Sequence, residues 1–251
     1  MKALFRWILL VLVAALSLQL FFLARIALMA TMDPQSTSFQ RSEAWRIATE
    51  KHSLRWAQQW RPYGTISDNL KRAVIASEDG SFTNHDGVDW EALEKAWQRN
   101  AKAQEQAARS TPARPATRAQ PAPKAARPPK IVGGSTITQQ LAKNILLSGE
   151  RTLLRKGQEI VLAFALEKML SKERILEIYL NSVEWGEGVF GAEAAARHYY
   201  RKSAAQLTPY EAARLAVMLP RPKYFEKVPN SGYLASRANT IAARMQGAEL
   251  P

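Results

Sequence analysis

The stretch EIVLAFALEKML, Glu159 to Leu170, decides the fold class. It is apolar almost all round a helical projection, which predicts the buried central helix of an α domain. Downstream, Ser171 is placed to cap the helix KERILEIYLN, in which Ile175, Ile178 and Tyr179 fall at helical spacing. Further on, Thr208-Pro209-Tyr210-Glu211 reads as a capping box with proline at the first helical position, and EAARLAVML stops at Pro220. No strand-alternating block and no βαβ series occurs, so the fold reads as mostly α.

Upstream lies RTLLRKGQE, Arg151 to Glu159. Arg155 and Glu159 are four apart, the spacing of an ordinary surface ion pair of little worth. Yet Glu159 opens the apolar helix, and a carboxylate tied to Arg at the edge of a buried helix is also a candidate for a positioned group. Before it comes GGSTITQQLAKN, Gly133 to Asn144. Two glycines permit close backbone approach, and Thr136-x-x-Gln139 is able to cap a helix. Thr136, Gln140 and Lys143 then share one face, and Ile137, Leu141 and Ile145 another. A helix N-terminus with a nearby ammonium favours an anion such as phosphate; an amphipathic helix with a polar wet face fits the same pattern.

EDGSFTNHDGVDW, Glu78 to Trp90, concentrates four carboxylates and a histidine in thirteen residues of a chain with net charge +13. Glu78 follows KRAVIAS and so falls at a helix end. A calcium loop lacks the DxDxDG spacing and terminal Glu it needs. His85 reads as a satisfied loop or core histidine, Phe82 and Trp90 as packing aromatics, and Asp86 and Asp89 as caps or solvated turn residues. The pair Glu78–Asp79 remains: like-charge repulsion and partial burial raise one pKa towards that of a useful base.

The 251 residues suffice for one well-buried domain with appendages. Cysteine is absent, which excludes thiol chemistry and thiolate metal sites. His52, His85 and His198 are too scattered for a zinc hydrolase. From Trp7 to Ala24 eighteen residues carry no charge, and the apolar run resumes after Arg25. About 20 helical residues cross a bilayer core, so 7–30 is expected to be an anchor, with 1–6 cytoplasmic by the positive-inside rule and the rest outside. A cleaved signal peptide is the alternative, but its apolar run would be shorter and followed by a small-x-small site. Residues 31–64 read as a stalk, and 101–130, with seven Lys/Arg, ten Ala and six Pro, as a mobile insertion. Because much of the positive charge sits there, nucleic acid is not expected as a partner; anionic lipid or phosphate is.

ED-GS-F-TN-H-D-G, GGSTITQQLAKN, RKGQE with ALEKMLSKERILEIYLN, and WGEGVFGAEAAARHYY with LTPYEAARLAVMLP follow one another in this order. Together they resemble the motif series of the biosynthetic peptidoglycan glycosyltransferases (family 51), and more closely its monofunctional, membrane-anchored branch. The resemblance covers residues 65 to 225. No S-x-x-K tetrad occurs, so the transpeptidase domain of the bifunctional relatives is not expected.

The resemblance implies a lysozyme-like α fold over 65–245 with a membrane-proximal jaw lobe, in the plasma (cell inner) membrane. It implies polymerisation of lipid II into β-1,4-linked glycan, with a growing polyprenyl-linked chain as partner and cell-division or penicillin-binding proteins as candidate neighbours. Glu78 would be the general base, supported by Asp79, Phe82 and His85. Thr136, Gln140, Lys143 and Asn144 would line the cleft, with Lys143 on the sugar–diphosphate. Arg155 and Lys156 would hold the departing diphosphate, and Glu159 would hold them, or a divalent metal (Mg or Mn), in place; no cofactor is otherwise required. A lysozyme-like hydrolase would also use two carboxylates, but has little need of Lys143, Arg155 and Lys156. A membrane-tethered scaffold would need neither glutamate.

Overall fold

The computed structural model describes residues 1–52, 55–109, 134–147 and 152–251. It forms two compact units, one of residues 1–88 with 136–251 and one of residues 89–135.

In the larger unit, α1 (Lys2–Met29) is long and apolar enough to cross a membrane. Its lower end is not free. Phe22, Ile26 and Met29, at steps of four and three, are buried in the main core. Arg174 donates to the carbonyls of Met29 and Met32 at 2.8 and 2.9 Å, and so satisfies acceptors that a helix end leaves open. The segment expected as a stalk contains α2 (Ser38–Lys51), started by a Thr37–Gln40 capping box.

α3 (Asp68–Glu78) packs on α9 (Pro209–Met218) and α11 (Gly232–Arg244), and α5 (Ile137–Leu146) on α6 (Leu153–Met169) and α7 (Lys172–Ser182). The expected caps form: the Thr208 and Thr136 boxes are complete, and the Ser171 hydroxyl accepts from the Arg174 N–H.

α6 is not buried all round. Glu159, Leu162, Ala163 and Leu166 face the core, while Val161 and Phe164 are 55% and 40% exposed. The outward stripe also carries exposed Leu153 and Leu154. α6 packs against α1, where Gln19 and Gln158 exchange amide hydrogen bonds of 3.1 and 2.8 Å. The all-round apolarity therefore belongs to a helix with one face on the core and the other beside a membrane-length helix.

A small sheet escaped the sequence reading. β2 (Glu184–Gly186) pairs antiparallel with β3 (Val189–Phe190), which pairs parallel with β1 (Ala57–Gln58). Strands of two or three residues are too short to show alternation. Gly188, at φ +74°, permits the turn, since a Cβ there would lie 2.2 Å from the Arg55 carbonyl oxygen. α8 (Ala192–Tyr200) follows, and α10 (Pro222–Lys227) packs on β2.

The smaller unit consists of α4 (Trp90–Arg109) and the approach to Ser135. Asp89 accepts from the Ala92 N–H at 2.7 Å, so this carboxylate caps as expected. A Cβ on Gly134 would lie 3.1 Å from the Cα of Leu93, which gives this glycine its close-approach role. Trp90, expected to pack, is 60% exposed. Residues 101–109 continue α4; the insertion's 110–130 lie outside the described residues.

Candidate active site

A cleft of ≈ 760 Å³ opens beside α5, lined by Gln140, Lys143 and Asn144 of that helix and by Arg155 of α6. The core-facing side of α5 buries Ile137, Leu141 and Ile145, so the amphipathic spacing fixes which side chains meet the cleft.

Glu78, the last residue of α3, is joined to this wall through Gln140. Gln140 Nε2 donates to Glu78 Oε2 at 3.1 Å, and Gln140 Oε1 accepts from the buried Tyr179 hydroxyl at 3.0 Å. Tyr179 thereby fixes the amide so that its N–H₂ faces the carboxylate. Burial raises the Glu78 pKa; the Gln140 hydrogen bond opposes the rise, and Asp79 adds to it by like-charge repulsion.

Asp79 and His85 form the strut behind Glu78. The Gly87 N–H donates to His85 Nδ1 at 3.1 Å, so Nε2 carries the proton that goes to Asp79, at 2.9 Å from Oδ1. Asp79 Oδ2 also accepts from the Ile137 N–H at 2.9 Å, which ties the start of α5 to the end of α3. Thr136 completes the joint, its hydroxyl donating to the Gly87 carbonyl at 2.6 Å and accepting from the Gln139 N–H. Phe82 is fully buried, 4.6 Å beneath the Lys172 ammonium. These four residues hold the site from within.

Glu159 is only 3% exposed and anchors two cations, Arg155 at 2.7 Å and Lys156 at 2.5 Å. A buried carboxylate so paired aims guanidinium and ammonium rather than forming a surface bridge of little consequence. Arg155 Nε is buried without a hydrogen-bond acceptor, a donor left over on a residue that lines the cleft. With each Glu159 oxygen on a cation, the donor set does not suit a divalent ion there. No group of three or more metal-ligating side chains occurs among the described residues.

The sequence model of the Transglycosylase family matches residues 46–111 and 120–246. This chain belongs to that family. It is similar to a biosynthetic peptidoglycan transglycosylase of Paraburkholderia xenovorans, 48% identical over 239 residues, or 95% of this chain and 90% of the relative. The proteins of the same name from Bordetella pertussis and Herminiimonas arsenicoxydans are 49% and 47% identical, over 96% and 100% of this chain and 91% and 98% of their own.

The cleft has contributors that the sequence did not single out. Ser42 and Glu43 of α2 line it, as do Glu184 of β2 and Leu219 and Pro222 around the end of α9. For α2 a signal was available: T-S-F-Q is a capping box ahead of a helix. For Glu184 there was none beyond its place in the W-G-E-G-V-F-G neighbourhood, since only folding brings β2 to α5.

Proposed function

We propose that Glu78 is the general base of glycosyl transfer and that Arg155, with Lys143 and Lys156, receives the departing diphosphate. The chain is a peptidoglycan glycosyltransferase of cell-wall synthesis, with lipid II and the growing glycan chain as substrates. The acceptor hydroxyl oxygen bonds to the donor's anomeric carbon as the bond to the diphosphate oxygen breaks. The hydroxyl proton passes to Glu78, and the diphosphate leaves with the bond's electron pair. Inversion of an α-linked donor to a β-linked product needs one base and positive charge at the leaving group, not a strong acid.

One observation carries this reading: a carboxyl of raised pKa is held by a fixed amide on the wall that also presents Lys143 and Arg155. The length and apolarity of α1 and the exposed apolar stripe of α6 support a membrane-anchored reading, in which the N-terminus is cytoplasmic and the cleft lies on the outer side. The test is polymerisation of labelled lipid II by the full-length protein and by Glu78→Gln. Wild-type product that lysozyme digests, lost in the variant, supports the assignment. Polymerisation by Glu78→Gln at the wild-type rate refutes it, and release of sugars from preformed peptidoglycan would mark a hydrolase.

A further inference from the structure

The cleft also carries a carboxyl group that this chemistry leaves unused. Glu184, the first residue of β2, is 6% exposed and lines the same cavity as Lys143 and Arg155. Its Oε1 has no hydrogen-bond partner. The nearest ammonium, Lys223 on α10, stands 3.4 Å away and is drawn instead to Glu43 on α2, which Arg46 also holds at 2.9 Å. Oε1 is itself shielded from solvent and within ion-pair distance of that ammonium, so the carboxylate offers an acceptor to the cleft only by turning about its terminal torsion.

The charges around Glu184 restrict the donor for that acceptor. A diphosphate is repelled by Glu184 and Glu43 and attracted by Lys143 and Arg155, so the two carboxylates face a neighbouring, uncharged part of the substrate. The hexosamine bonded to the diphosphate is that neighbouring part, and it offers hydroxyl and amide N–H donors. The terminal torsion of Glu is broad, so either oxygen turns into the cleft at little cost. We propose that Glu184 is a substrate-binding residue whose carboxylate accepts a hydrogen bond from an O–H or N–H group of the hexosamine adjoining the bound diphosphate. The proposal rests on the transferase reading above.

Burial pushes the Glu184 carboxyl up to about 7, against the opposing charges of Lys223 and Arg46 and with the help of Glu43. Tyr199 of α8 also feels its charge. Glu184 therefore ionises as pH rises through about 7, and the charged form is the better acceptor.

The test is steady-state kinetics of the full-length protein with lipid II between about pH 6 and pH 8.5, for wild type, Glu184→Ala and Glu184→Gln. At the alkaline end Glu184→Ala raises KM about tenfold with kcat within about twofold, the loss of one charge-assisted hydrogen bond. The wild-type KM falls as pH rises through the titration of Glu184, and both variants lose that dependence. Thermal melts show that the variants are folded, and Glu184→Gln, of the same shape, serves if Glu184→Ala is not. A wild-type KM in either folded variant, or a pH dependence of KM that survives both substitutions, overturns the proposal. Absence of polymer from the wild-type protein overturns the transferase reading itself, and this assignment with it.

Discussion

Glu193 and Glu78 are carboxylates of the same unit with opposite environments. Glu193, in the first turn of α8, is fully buried and surrounded by donors: Arg61 at 2.8 Å, the Ser203 hydroxyl at 3.0 Å and the Ala204 N–H at 2.9 Å. Burial alone would raise its pKa, but the Arg61, Ala204 and Ser203 hydrogen bonds outweigh it and hold the carboxyl at about 2. Glu78 is held by the Gln140 amide and the Ser77 side chain, but burial, with a second carboxylate next to it, outweighs them and its pKa goes up. Saturation with donors makes a carboxylate a structural pin; scarcity of donors keeps it able to take a proton.

The two groups affect stability with opposite signs. For Glu193 the folded pKa lies below the unfolded value of about 4.3, so its stabilisation is present above that pH and lost as pH falls towards the folded value. For Glu78 the folded pKa is raised, so the native state binds the proton more tightly and ionisation costs stability as pH rises through the shifted value.

The largest expected effect comes from Glu78→Gln. Polymerisation falls by roughly 10²–10⁴-fold, the usual worth of a general base, while the melting temperature above neutral pH stays level or rises. A variant that loses activity and stability together would place Glu78 with Glu193 as a pin. Glu193→Ala should do the reverse. Loss of its carboxylate leaves the buried Ala204 N–H without an acceptor, at a cost of about 1–3 kcal/mol of stability, read by denaturation, with turnover per folded molecule preserved.

Arg155→Ala comes next. Loss of a charged hydrogen-bonding group costs about 1.5–3 kcal/mol, seen as lower kcat/KM for lipid II. The melting temperature falls too, because the buried Glu159 carboxylate loses one of its two cations. The smallest effect tunes the contrast. Gln140→Leu removes the hydrogen bond that holds the Glu78 pKa down, so the acid limb of the pH–rate profile moves to higher pH.

Glu78, Gln140 and Arg155 were legible in the sequence because each lies on a helix whose caps and periodicity fix its direction. The wet side of α5 could be read from Ile137, Leu141 and Ile145, which have to be inside. Thr136 shares that spacing but not that role, because a cap residue has non-helical backbone and its hydroxyl is taken by Gly87 and Gln139. His85 read correctly as a satisfied histidine, although its partner Asp79 could not be named from spacing alone. Apolarity all round EIVLAFALEKML gave helix but not burial, since a core and an acyl-chain environment select the same residues. The Glu43–Lys223–Glu184 grouping joins residues far apart in the chain, and no local pattern announces such an encounter.

The Gln19–Gln158 clasp fixes α6 along the length of α1. Gln19 lies ten residues before Met29, about 15 Å along a helix axis, roughly half the thickness of a hydrocarbon core. The amide pair ties the first turns of α6 to α1 at that level and holds the two helices side by side. A shift of α1 along its own axis is thereby passed to the first turns of α6, where Arg155 and Glu159 sit.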